Sequence, residues 1–219
     1  SYHCPIPKYS GAPVSGLRER QKQLRRAAIS AAAVALFQRQ GFRETTVEQI
    51  ARDAGVSAPT VFKYFGSKHE IILEMIKESD HRALVDVRKR IRDFDDPVDA
   101  LCHLEHLLVS YALEVLPAAL WRELLPLVLV GGGSGLPEAY RQMNRGLQGE
   151  IANVLRELQE AGKLRADLDV ELAGFLLNDY SHLQLLRLTA SDQLDRQTHA
   201  ANVRASTRLI FEGMRALPA

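Results

Sequence analysis

Residues 56–70, VSAPTVFKYFGSKHE, crowd three short hydroxyls (Ser57, Thr60, Ser67), a proline, several aromatic rings and two lysines (Lys63, Lys68) into a few turns' length of chain. Ammonium groups and hydroxyls at such density suit contact with a polyanion, and small side chains let a backbone come close to a partner. Other residues invite different chemistry. Gly131-Gly132-Gly133-Ser134-Gly135 has the composition of a phosphate-cradling loop, but no strand pattern precedes it and no lysine follows in the required register, so it reads as a flexible joint. His103 and His106 flank Glu105, yet an i, i+3 histidine pair alone lacks a metalloprotease spacing. Cys4 and Cys102 form neither a disulfide framework nor a repeated metal-ligand pattern. No nucleophile elbow is present. The chain is therefore expected to have no catalytic residues, no metal and no cofactor.

The elements that must position residues 56–70 come next. The 219 residues, 46% hydrophobic and 25% charged, suit one medium-sized or two small soluble domains. The longest apolar runs, such as 124–130, are far shorter than the ~20 residues of a bilayer span, and no basic-then-apolar leader opens the chain. The expectation is a cytoplasmic protein with no membrane contact. The net charge of +1 conceals an asymmetry: residues 17–92 hold 16 Lys/Arg against 9 Asp/Glu, and residues 93–219 hold 11 against 18. A basic segment joined to an acidic one suggests that the first meets a polyanion and the second does not.

Residues 1–16 are rich in Pro, Gly and Ser and are expected to be a disordered arm. From Leu17 onward the pattern is helical, with no period-2 strand, and the class is all-α. The first helix is expected over 18–40, its apolar positions Ile29, Ala32, Ala33, Leu36 and Phe37 spaced i, i+3, i+4, i+7, i+8 and Gly41 stopping it. Arg18, Arg20, Lys22, Arg25 and Arg26 precede that stripe, either as a solvated helix start or as phosphate contacts. Thr45-Thr46-Val47-Glu48 reads as a capping box with Thr45 at the cap. Val47, Ile50, Ala51 and Ala54 then form the buried stripe of a short helix, and Gly55 supplies a turn. Ser57 is a second cap, Pro59 sits in the first turn of the next helix, and Ser67-Lys68-His69-Glu70 opens a long helix to about Arg92. Two short helices across a glycine turn, with Ala54, Val56, Val61 and Phe65 inward, make a helix-turn-helix.

Residues 24–76 resemble the DNA-binding domain of the TetR family of transcriptional regulators. The resemblance is carried by Ile29, Ala32-Ala33, Leu36-Phe37, Gly41-Phe42, Thr45-Thr46-Val47, Ile50-Ala51, Ala54-Gly55-Val56-Ser57, Thr60-Val61-Phe62, Tyr64-Phe65 and Ser67-Lys68. It implies a domain over 17–66, with Ser57, Ala58, Pro59 and Thr60 starting a recognition helix: Thr60 hydrogen-bonds base edges, and Ala58 and Pro59 touch thymine methyls. Thr46, Lys63, Tyr64 and Lys68 are similar to the family's phosphate anchors. Phe62 departs from the family's usual tyrosine and cannot donate to a phosphate oxygen.

The resemblance extends to the layout of residues 67–219, expected to form a ligand-binding and dimerisation domain within a total of about nine helices. Helices are expected from Asp95-Asp96-Pro97 to about Leu116, from Pro117 to Leu125, from Pro137 to about Ala161, and after Asp169 and Asp192. The last two, carrying Leu172, Phe175, Leu176, Leu183, Leu186, Val203, Leu209, Ile210 and Phe211, would form a homodimer interface, with intramolecular core as the alternative. A dimer places two recognition helices on half-sites ~34 Å apart, hence a palindromic double-stranded operator. By the same resemblance a small-molecule effector shifts the long fourth helix and releases DNA, most often in a repressor. His106, Tyr111, Trp121, Met143 and Asn178 offer an apolar space with polar handles for it. The alternative is a DNA-binding protein with no effector or with little sequence preference.

Overall fold

Helical periodicity is realised almost end to end. The computed structural model describes residues 14–130 and 136–212, and among them are nine α-helices, one 3-10 turn and no strand. The helices are α1 (Val14–Gln40), α2 (Val47–Asp53), α3 (Ala58–Phe65), α4 (Lys68–Arg90), α5 (Pro97–Val115), α6 (Ala118–Val130), α7 (Leu136–Glu160), α8 (Val170–Leu188) and α9 (Arg196–Glu212), with the 3-10 turn at Ile91–Asp93. The class is all-α, as expected. The chain divides into two units, Ser1–Lys68 and His69–Ala219. Of the expected arm, residues 14–16 instead belong to α1; a single glycine inside a helix, Gly16, costs only about 1 kcal/mol, which a 27-residue helix absorbs. Residues 1–13 and the Gly131–Gly135 joint lie outside the described residues.

In the first unit α1, α2 and α3 bury Ile29, Ala33, Leu36, Phe37, Phe42, Ile50, Ala51, Val61 and Phe65, which are the positions that helical spacing puts inward. Ala54 and Val56 are only half-buried. The cap of α2 is Thr46 rather than Thr45. Thr46 is extended (φ −106°, ψ 159°) and its hydroxyl accepts from the Gln49 backbone, while the Gln49 amide oxygen accepts from Thr46 N–H at 2.9 Å. Thr45 is buried, its hydroxyl donating to Gly41 O at 2.8 Å. Adjacent threonines are equivalent in a capping pattern, and burial of one of them decides between the two.

In the second unit, α4, α5, α7 and α8 share a core of Ala83, Leu84, Val87, Leu101, Leu104, Ile151, Val154, Leu155, Leu158 and Val170. Arg88 ties α4 to α7 through Glu150 (3.1 Å) and Glu157 (3.0 Å). Helices α7 and α8 cross closely because Gly174 has no Cβ: one built there would sit 3.1 Å from Ala152 N and from Gln148 O. Asp96 and Asp169 cap α5 and α8. Asp195, not Asp192, accepts from the first turn of α9 (Thr198 N–H, 2.9 Å), since Asp192 is taken by Arg122 at 2.7 Å. Helix α6 runs past the expected stop at Leu125 and through Pro126, whose side is exposed and whose missing N–H forfeits one helical bond. Among the described residues no single helix is long and apolar enough to cross a membrane.

Candidate functional site

The local chemistry of residues 54–66 builds a short projecting helix. Gly55 takes φ +68°, a conformation that side chains rarely adopt, and lets Val56 N–H reach back to Ala51 O at 2.9 Å. Ser57 caps α3, its hydroxyl 3.3 Å from Thr60 N–H and 2.8 Å from the Thr60 hydroxyl. Val61 and Phe65 anchor the helix inward, so Ser57, Pro59, Phe62 and Lys63 stand exposed while Ala58, Thr60 and Tyr64 are half-buried at the flanks. Thr46, at the start of α2, is also exposed. The first-turn side chains of α3 are all short, so nothing keeps its backbone from the floor of a major groove about 12 Å wide.

Not every expected cation faces outward. Lys68 was expected to anchor phosphate, but its ammonium donates to three backbone carbonyls: Phe42 O (2.8 Å), Arg43 O (3.0 Å) and Thr45 O (2.9 Å). It also lies 4.7 Å from the centre of the Phe42 ring. An ammonium has three donors, and all three are spent on the α1–α2 turn; burial accordingly lowers its pKa. In this structure Lys68 is a pin that holds the turn. Arg26 is likewise turned inward, donating to Tyr64 O at 3.0 Å and stacking 4.5 Å from the Phe65 ring centre, so it closes the end of α3. Lys63 remains exposed. Phe62, without a hydroxyl, is 49% exposed, and so large an apolar ring held in water beside Lys63 suits contact with sugar or a thymine methyl.

In the second unit the five residues expected around a ligand separate into two groups. Trp121 and Asn178 line one internal cavity of about 40 Å³ together with Asp80, Tyr140 and His182. Met143 lines an adjoining open crevice of about 780 Å³ between α4 and α7, which also reaches Asp80. His106 and Tyr111 do not join them. His106 lies in a separate crevice between α5 and α9 beside the His199–Glu105 pair (2.8 Å). The Tyr111 hydroxyl donates to Asp86 at 2.6 Å and its ring lies under Arg82. Both sit on faces of α5 that the helix register turns away from Trp121 and Asn178.

The internal cavity is more polar than expected. Tyr140 OH lies 2.5 Å from His182 Nε2, and His182 Nδ1 lies 2.8 Å from Asn178 O. A carbonyl only accepts, so the proton sits on Nδ1 and Nε2 accepts from the tyrosine; burial lowers the His182 pKa and keeps the ring neutral. Asn178 donates to Asn144 at 3.1 Å. Asp80, Tyr140 and His182 were missed in the sequence, although Asp80 carries a signal: it falls four residues after Ile76 and four before Leu84, in the buried stripe of α4.

The last two helices leave an apolar face in water. Leu172, Phe175, Leu176 and Leu183 of α8 and Leu209, Ile210 and Phe211 of α9 are between 36% and 55% exposed. Val203 departs from that expectation. It is buried, at 3% exposure, because it points at α5 across the narrow space beside Leu101, Leu104 and Leu108.

A projecting helix after a glycine turn, on an all-α chain with a polar cavity in a second unit, defines a DNA-binding regulator. Residues 29–75 match the family model "Bacterial regulatory proteins, tetR family". The crystal structure of Thermus thermophilus FadR, a TetR-family transcriptional repressor in complex with lauroyl-CoA, is 31% identical and covers 89% of this chain and 97% of its own, with a TM-score of 0.65. The transcriptional repressor NicS of Pseudomonas putida is 28% identical over 216 residues, 92% of this chain and 97% of that protein. The regulator HbdR of Aromatoleum sp. is 38% identical over 79 residues, and the chain spans about a third of its length (34%). The chain belongs to the TetR family of transcriptional regulators.

Proposed function

We propose that this chain is a homodimeric, ligand-responsive repressor of the cytoplasm that binds a palindromic operator and leaves it when a small molecule enters the second unit. The observation that carries the reading is the α3 start: capped by Ser57, with short exposed side chains and Lys63 at its flank. Thr60 with Ser57, Ala58 and Pro59 would read base edges, and Thr46, Lys63 and Tyr64 would hold phosphates. The exposed apolar stripes of α8 and α9 support a two-fold dimer, since an apolar face of this extent on a protein surface usually marks an association site. Lauroyl-CoA bound to Thermus FadR and the Asp80–Trp121–His182 cavity support ligand control.

Selection of bound duplexes from a random pool, followed by titration against the selected and a scrambled duplex, tests the reading. The expected result is an inverted repeat preferred by about 10³-fold or more. Equal affinity for both duplexes would leave a DNA-binding protein with little sequence preference. A selected operator from which no metabolite releases the protein would leave one without an effector.

A further inference from the structure

Asp80 is a carboxylate in an apolar register. On α4 it shares its face with Ile72, Ile76, Ala83 and Val87, all buried; Asp80 is itself half-buried at the crevice wall, and among the described residues it makes no hydrogen bond and no ion pair. A carboxylate taken out of water without a partner is costly unless something neutralises it. The groups around it do not. Tyr140 of α7 gives its hydroxyl to His182, and His182 of α8 is neutral with its Nδ1 proton on Asn178 O. On its own helix Lys77 and His81 border the open crevice, as do Glu70 and Glu74. From α7 comes Glu150, whose charge is met by Arg88.

Asp80 and Leu147 are the residues common to both spaces, so the carboxylate stands where the 780 Å³ crevice meets the cavity of Trp121 and Tyr140. The crevice has the volume of an ordinary ligand site, and its lining contains one lysine and no arginine.

We propose that Asp80 is the recognition acid of the effector site, and that the effector is an apolar molecule bearing a cationic nitrogen, which enters between α4 and α7 and sets its charge on the Asp80 carboxylate. This rests on the reading of the second unit as an effector domain. The apolar body lies along Met143 and Leu147 toward Trp121, whose aromatic neighbour Tyr140 faces the same space. The same lining disfavours a polyphosphorylated ligand: the phosphates of an acyl-CoA would find Lys77 as the single lysine of the wall and no arginine beside it. Ligand class thus separates this chain from Thermus FadR, whose structure holds lauroyl-CoA. Burial pushes the Asp80 carboxyl up to about 7, so a bound cation gains as the acid ionises and binding strengthens from pH 6 to pH 8.

The chain's single tryptophan, Trp121, lines the cavity and reports on it in the free, full-length protein. Titrations of its fluorescence, with calorimetry as a second readout, compare octylammonium, octanol, octanoate and octanoyl-CoA. Octylammonium is expected to bind at least tenfold more tightly than the other three. Asp80→Asn is expected to abolish the preference and Asp80→Glu to keep part of it, with helix content and melting checked for each variant. No binding of octylammonium at millimolar concentration, tighter binding of octanoate or octanoyl-CoA, or an unchanged preference in Asp80→Asn overturns the proposal. Operator retention is measured separately: octylammonium that binds through Asp80 but leaves the operator complex intact keeps this site and removes the effector-release reading instead.

Discussion

Replacing Asp80 by Asn tests the unpartnered carboxylate without any ligand, through the pH dependence of stability. The carboxyl, ordinarily near 3.8, is pushed up to about 7 by burial alone. The folded protein therefore holds this proton more tightly than the unfolded chain. The stability it confers is full below about pH 4, declines between about 4 and 7 and is gone above 7. A gap of about three units at about 1.4 kcal/mol each makes the cost of the ionised form about 4 kcal/mol on the alkaline side. Asparagine keeps the shape and cannot ionise. The stability advantage of Asp80→Asn over the parent should thus be small at pH 4 and widen by about 3 kcal/mol between pH 5 and pH 8.5. For a chain of this size that is a divergence of about 6–12 °C in Tm, readable by circular dichroism at matched ionic strength. Parallel Tm-against-pH curves, or an Asn variant less stable than the parent at pH 8.5, would refute the reasoning by showing that the carboxylate has a compensating partner.

The remaining predictions concern the DNA-binding unit and the α8–α9 face. Lys68→Ala strands the three carbonyls of the α1–α2 turn and should cost the first unit about 2–4 kcal/mol in urea unfolding, while the log–log salt slope of operator binding measured on the folded fraction stays unchanged. Lys63→Ala should do the reverse, flattening that slope by about one unit with stability within ~0.5 kcal/mol of the parent. Thr60→Val, which keeps the shape and removes the hydroxyl, should redistribute affinity among duplexes by roughly 1–3 kcal/mol at one base pair of each half-site; uniform weakening would make Thr60 a positioning contact. Leu176→Glu, in the exposed stripe of α8, should turn the sedimenting species into a monomer and lower operator affinity, and an unchanged sedimentation coefficient would locate the subunit contact elsewhere.

The first unit was legible in the sequence because its information is local. Gly55, Ser57 and Pro59 specify turn, cap and first helical residue within five positions, and the alternation of Val61 and Phe65 with Phe62 and Lys63 follows from 3.6 residues per turn. Class, helix order and the identity of the projecting helix follow from such signals. They do not resolve choices between chemically equal neighbours: Thr45 against Thr46 and Asp192 against Asp195 were settled by which side chain had another partner. Nor does a helical pattern say which apolar stripe stays in water; Leu209 and Val203 look alike in sequence, and only the second meets α5.

What the sequence by itself determined is the series of helices, the basic and acidic halves, and the family to which residues 24–76 point, since these depend on spacing of a few residues and on composition. What tertiary structure decided is where long side chains end. Lys68 reaches carbonyls 23 to 26 residues back along the chain, His106 and Tyr111 face away from the cavity, and Asp80 comes to lie against Tyr140 and near His182, residues 60 and more positions away. A lysine's four-carbon stem spans several possible partners, and a carboxylate's cost depends on the dielectric around it. Both are properties of what surrounds the residue in space, which no local pattern contains.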